Sequence, residues 1–220
     1  MENLELQRVV ILLHGLGRTA RCFKLLEKHL KQEGYRVINQ SYPSRHYKIE
    51  DLAEIAIPNA LKECPKDAPI SFVTHSLGGI LVREYLRKHT IENLDRVVML
   101  GPPNHGSEIV DKLGWLPGFI FINGPAGLQL ETKPDGYLAQ LGPVNFKLGI
   151  VAGTLNKGWY LEKFLPEPND GKVTVASTRI TGEADHICLP ISHGFMMNKP
   201  MVIEQVLAFL KTGSFKHQKS

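Results

Sequence analysis

A chain of 220 residues, 43% of them hydrophobic, with a formal charge of +4, can bury one sizeable core and is short for two. Its lysines and arginines are scattered, and the mild cluster at Lys211, Lys216, His217 and Lys219 reads as a solvated tail rather than a nucleic-acid arm. Cys22, Cys64 and Cys188 lie far apart without C-x-x-C spacing, which argues against a metal site, a redox pair or a disulfide framework and for a reducing, cytoplasmic setting. Met1-Glu2-Asn3-Leu4-Glu5 has no basic region and no apolar stretch, so no signal peptide is expected. No segment approaches the roughly 18 to 20 apolar residues that span a bilayer.

Val9 to Leu13 is a continuous apolar run rich in β-branched residues, the pattern of a strand buried on both faces. It runs into His14-Gly15-Leu16-Gly17, a loop in which glycine lets the backbone approach a ligand closely. Thr19 can cap a helix with Cys22, Phe23, Leu26 and Leu30 on one face, ending at Gly34. Tyr35 to Gln40 reads as a second strand, and a helix follows from about Glu50 to Cys64, with Pro58 implying a kink or a late start. Ile70 to Thr74 is a third strand, followed by a helix through Leu81, Tyr85 and Leu86, and Arg96 to Leu100 is a fourth. Strand and helix in alternation require right-handed crossovers and a parallel sheet covered on both faces.

Regularity fails from Gly101 to Val144, where glycine and proline interrupt apolar pieces such as Leu113 to Ile122. A stretch of that length is either a small packed excursion or a cap over a binding site, and 104–144 is the expected insertion in a single domain spanning 1–220. Strand patterns resume at Lys147 to Ala152 and at Val173-Thr174-Val175-Ala176, and a last helix starts near Asn198 and Pro200.

Ser76 lies where the third strand gives way to a helix, within Thr74-His75-Ser76-Leu77-Gly78. A serine at such a bend takes strained dihedrals and needs small neighbours; Gly78 is one, while Thr74 stands where glycine is commonest. A serine hydroxyl needs a base within hydrogen-bond reach and a third group to orient that base. In this sheet type the chain order is nucleophile, acid, histidine, which Ser76, Asp170 and His193 satisfy. Asp170 is expected in the loop between the strand ending near Ala152 and the one starting at Val173, and His193 in the loop before the last helix. His186 is a rival base, and Asp185, Asp111 and Glu108 are rival acids. His75 flanks Ser76 but is expected to point away, and His14 and His105 are read as turn formers. The amides of Leu16 and Leu77 are the expected oxyanion donors.

His14 to Gly17, Thr74 to Gly79, Gly101-Pro102-Pro103-Asn104-His105-Gly106-Ser107, Asn169-Asp170-Gly171-Lys172-Val173 and Ser192-His193-Gly194 together resemble the α/β-hydrolase superfamily. The likeness is to compact bacterial lipases and related serine esterases with a P-x-x-G-S segment after the fourth strand, and it covers nearly the whole chain. It implies a mostly parallel sheet with helices on both faces, in a minimal form lacking the first strands of larger relatives. It also implies a Ser-His-Asp carboxylesterase or lipase with no cofactor and no metal. The substrate would be a small-molecule or lipid ester, with transient contact with a lipid surface and no nucleic-acid partner. A thioesterase, amidase or acyltransferase on the same residues remains open, as does a non-catalytic binding module.

Overall fold

In a computed structural model, residues 7–156 and 165–217 are described. The strands are β1 (Val9–Leu13), β2 (Arg36–Asn39), β3 (Ile70–His75), β4 (Leu94–Leu100), β5 (Leu148–Gly153) and β6 (Asp185–Leu189). They form one sheet in the order β2-β1-β3-β4-β5-β6, and every pairing is parallel. The helices are α1 (Lys24–Gln32), α2 (Ile49–Leu61), α3 (Leu77–Lys88), α4 (Glu108–Leu113), α5 (Pro117–Leu128), the single turn α6 (Val175–Thr178) and α7 (Pro200–Thr212). None of the described helices is long and apolar enough to cross a membrane.

The pleat divides the sheet's apolar residues between two cores. Val9, Ile11 and Leu13 of β1 pack with Phe72, Met99 and Ile150 under α2 and α3. Val10 and Leu12 pack with Val73, Leu100 and Val151 under α1 and α7. Burying both faces is what makes these strands continuous apolar runs rather than alternating ones.

The stretch from Gly101 to Val144 is more regular than expected. Proline starts α5 at Pro117, and Gly124 (φ 65°) breaks it with non-helical dihedrals before Pro125. Ala126, Leu130, Leu138 and Leu141 join the core under α2 and α3, so part of the excursion is packed against the sheet domain. Arg83 of α3, 3% exposed, clasps both ends of the segment. Its guanidinium donates to the Asn104 carbonyl (3.0 Å) and side-chain oxygen (3.2 Å), and to the Gly142 carbonyl (2.9 Å). Burial lowers the Arg83 pKa to about 10, so the clasp stays charged at neutral pH.

One expected strand is absent from the sheet. Val173 to Ala176 does not join it: Asn169 and Thr174 form a local antiparallel bridge, and the Thr174 hydroxyl accepts from the Ser177 amide (3.1 Å) to cap α6. The edge of β5 is taken instead by Asp185–Leu189. The first helix also opens later than the Thr19 cap suggests, since Ala20–Phe23 is a 3-10 turn and the Thr19 side chain makes no capping bond.

Candidate active site

Ser76 is the only described residue other than glycine with φ in the left-handed region, at φ 52°, ψ −120°. Such a conformation costs about 1–3 kcal/mol and persists only where surrounding contacts impose it. Here the Ser76 amide continues the β3–β4 ladder by donating to Leu100 O at 2.9 Å, and α3 starts at the next residue. A methyl group on Gly78 would be driven into the Leu13 carbonyl oxygen, so only glycine lets α3 rise this close to the end of β1. Thr74 fits in place of glycine. It is fully buried, and its hydroxyl sits beside Gly79, which has no side chain to occupy the space.

Asp170 is held by a tight turn rather than by a strand end. Its amide donates to Val173 O (3.1 Å), and its Oδ1 accepts from the amides of Lys172 (3.0 Å) and Val173 (2.8 Å). Its other oxygen, Oδ2, lies 2.7 Å from His193 Nδ1, with both residues buried. The His193 backbone is tied as well: its N–H donates to Asp170 O (2.9 Å), and its carbonyl accepts from His75 Nε2 (2.9 Å). Gly101, at the end of β4, allows this pair to nest there, since a side chain would lie 3.1 Å from both Asp170 Oδ2 and His193 Nδ1.

Ser76, His75, His193 and Leu16 all line one cavity of about 330 Å³. Its apolar wall comes from Ile109, Val110, Leu113, Phe119, Ile122 and Leu130, residues of the 104–144 segment. Leu77 is the first residue of α3, where an amide has no carbonyl one turn earlier to bond. Leu16 lies in the turn after β1, half-buried. That turn is braced by His14, whose Nδ1 donates to Gly15 O (2.9 Å) while Nε2 accepts from the Tyr42 amide (3.1 Å). The two rings stack at 4.1 Å, and burial lowers the His14 pKa, as a neutral ring making these two bonds requires.

Three of the four rivals, His186, Asp185 and Asp111, are occupied elsewhere. His186 Nε2 meets the Thr178 hydroxyl (2.9 Å), and Asp185 takes the Phe215 amide (2.7 Å) and His217 Nε2 (2.8 Å). Asp111 accepts from the Thr132 amide (2.9 Å) and hydroxyl (2.5 Å). Glu108 begins α4, and its Oε2 is buried without a hydrogen-bond partner. The His105 amide donates to Ser177 O (3.0 Å), a structural bond in keeping with a turn former. In the same segment, Ser107 Oγ donates to Lys172 O (2.7 Å), tying the P-x-x-G-S stretch to the Asp170 turn.

Sequence reasoning missed His75. In sequence it reads only as a neighbour of Ser76 that points away from it; its ring centroid is 4.8 Å from that of His193, and it supports the loop that carries His193. Burial first, then the charge of His193, holds its pKa well below the ordinary value. A methyl group on Gly15 would sit 2.8 Å from His75 Nδ1 and 3.1 Å from Ser76 Cβ, so the loop after β1 presses directly on the bend. Arg18 and Lys172, also unanticipated, line the same cavity. Among the described residues no three His, Cys, Asp or Glu side chains converge as metal ligands would.

Comparison with known proteins gives the same architecture. The chain superposes on the mature form of the Bacillus licheniformis lipase BlEst2 with a TM-score of 0.73 at 19% identity, covering 97% of this chain and 94% of that one. It matches the metagenomic carboxyl esterase MGS0156 with a TM-score of 0.64 at 18% identity, covering 84% and 64%. It matches the thioesterase RedJ of the prodiginine biosynthetic pathway in Streptomyces coelicolor with a TM-score of 0.60 at 18% identity, covering 94% and 90%. At such identities these likenesses establish the fold alone. No curated protein sequence matches the chain. A family model described as "Alpha/beta hydrolase family" does match, over residues 10–187, from the first strand to the last. With six parallel strands and a serine raised at the end of the third, the chain belongs to the alpha/beta hydrolase family.

Proposed function

We propose that the chain is a carboxylic ester hydrolase, an esterase or lipase, working through an acyl-enzyme on Ser76. The observation that carries this reading is the Asp170–His193 hydrogen bond of 2.7 Å at the cavity that Ser76 also lines. With Nδ1 committed to the carboxylate, Nε2 is the imidazole nitrogen left to take the Ser76 proton as Oγ attacks the ester carbonyl. Asp170 fixes that tautomer and stabilises the imidazolium. The Leu16 and Leu77 amides would meet the developing oxyanion, at about 3 kcal/mol per donor. His193 then gives its proton to the leaving alcohol, and water repeats the sequence on the acyl-enzyme.

The apolar wall favours an acyl chain as the group bound beside Ser76. Trp115 and Phe121, 74% and 89% exposed, favour transient contact with a lipid surface. The free thiols of Cys22, Cys64 and Cys188 suit a reducing, cytoplasmic setting. Thioester or amide cleavage on the same residues is the competing reading, and assays on ester, thioester and amide substrates of matched chain length separate the three.

The direct test is Ser76→Ala. Turnover of p-nitrophenyl esters and labelling by a fluorophosphonate should both vanish while the circular dichroism spectrum is unchanged. Retained turnover in that variant would remove Ser76 from the mechanism, and an unlabelled serine in the folded parent protein would favour a binding module.

A further inference from the structure

The cavity beside Ser76 has two chemically distinct sides. Its apolar wall comes from the 104–144 segment, whereas Arg18 and Lys172 line it near His193 and Asp170. The Arg18 guanidinium and the Lys172 backbone are both tied down around that pair. Arg18 Nη2 donates to the carbonyl of Gly194, the residue after His193, at 3.0 Å. The Lys172 amide donates to Asp170 Oδ1 at 3.0 Å, and its carbonyl accepts from Ser107 Oγ at 2.7 Å.

Among the described residues neither cation forms an ion pair, whereas Lys31, Lys88, Lys133, Lys211 and Lys216 each do. Among the described residues no acidic side chain lines the cavity, and the Asp170 carboxylate is already taken by His193 and two amides. Although Lys172 is exposed along part of its side chain, burial and then the charge of Arg18 hold its pKa below the ordinary value. Both charges also reach His75. Two like charges lining one cavity, Lys172 partly withdrawn from water and Arg18 exposed, neither with an ion-pair partner among the described residues, form a site that an anion would relieve.

We propose that the ester cleaved here carries a negatively charged group on its alcohol side, a phosphate or a carboxylate held by Arg18 and Lys172, while an apolar acyl chain lies along the opposite wall. The inference rests on Ser76 as nucleophile and His193 as its base. His193 must protonate the departing alcohol, so the alcohol leaves on the histidine side of the cavity, where the cations stand. The acyl group, bonded to Ser76, is left facing the apolar side. The substrate class is an anionic amphiphile.

The test uses two matched pairs of substrates with the full-length protein. One pair is 4-nitro-3-(octanoyloxy)benzoate against neutral 2-nitrophenyl octanoate, each rate corrected for its hydroxide-catalysed hydrolysis. The other is 1-octanoylglycerol 3-phosphate against 1-octanoylglycerol. The anionic member should be preferred in kcat/KM by at least about tenfold. A preference in one pair only names carboxylate or phosphate as the group bound.

The preference should shrink toward one in about 0.5 M salt, which screens charges beyond a few ångströms. It should also collapse in R18Q/K172Q and survive in R18K/K172R. The ratio cancels any general loss of activity in the variants, and the salt series requires no variant at all. A ratio near one in both pairs, with the neutral esters turned over at Ser76, overturns this inference and leaves the hydrolase reading standing. A preference that persists in R18Q/K172Q also overturns it. If no ester is turned over and the fluorophosphonate leaves Ser76 unlabelled, the hydrolase reading falls and takes this inference with it.

Discussion

Asp170→Asn separates geometry from chemistry at this site, because the structure dictates which way the new amide must face. Asp170 Oδ1 accepts two backbone N–H groups, from Lys172 and Val173, and Oδ2 faces His193 Nδ1. An asparagine keeps both backbone bonds only with its oxygen in the Oδ1 position, which turns its NH2 toward His193. Nδ1 must then accept, the proton moves to Nε2, and the imidazole can no longer take a proton from Ser76. The flipped amide would restore the productive tautomer but would set its NH2 against two buried donors. Leaving each unsatisfied costs about 1–3 kcal/mol, so the flipped form is disfavoured by about 2–6 kcal/mol, or roughly 30-fold to 10⁴-fold. The expected loss in kcat for p-nitrophenyl octanoate is therefore about 30-fold to 10⁴-fold, with the melting temperature little changed. Nitrogen-15 NMR of the His193 ring should report the Nε2–H tautomer. A drop of less than tenfold in a variant whose ring shows that tautomer would refute the assignment of His193 as the base.

Gly78→Ala should destabilise by about 1–3 kcal/mol in urea melts, because its methyl group meets the main chain at Leu13, whereas Gly118→Ala, with nothing within 4 Å, should be neutral or stabilising by up to about 1 kcal/mol. His75 has a depressed pKa in the folded chain, so below about pH 6.5 the unfolded chain binds the extra proton. Its contribution is therefore intact above that pH and declines on acidification by up to about 1.4 kcal/mol per pH unit, until the folded pKa is reached. His75→Asn should flatten this part of the stability–pH curve, and an unchanged slope would show that the ring is not held neutral. W115S/F121S should slow hydrolysis of vesicle-borne esters several-fold while sparing soluble short-chain esters, and equal losses on both would place these side chains in the reaction itself rather than at a lipid surface.

The sheet was legible where burial on both faces writes itself as unbroken apolar runs. Val9–Leu13, Ile70–His75 and Leu148–Gly153 are buried throughout, and each was recognisable from composition alone. Asp185–Leu189 escaped notice because an edge strand has one partner, and its residues are half-buried or exposed, including Asp185 and His186. Val173 to Ala176 has the opposite character: β-branched residues whose backbone is claimed by a local bridge and a Thr174 cap. Ser76, Asp170 and His193 stand out in the sequence as candidates because chain order and bend chemistry constrain them. The bond from His75 to the His193 carbonyl was not, since 118 residues separate the partners and no local pattern encodes their meeting. Arg18 and Lys172 were hidden for the same reason, as scattered cations acquire a shared direction only after folding.

The strand order carries a consequence for synthesis. After β1, β2 and β3 have met, each later strand joins the free edge left by the one before it, so the sheet can grow in the order in which the ribosome delivers it. At about 5–20 residues per second, the 118 residues from His75 to His193 take roughly 6 to 24 s to emerge. Throughout that interval the nascent chain displays Ser76 without His193 beside it, and the proposed reactive centre is born only when the sixth strand and the loop beyond it have docked.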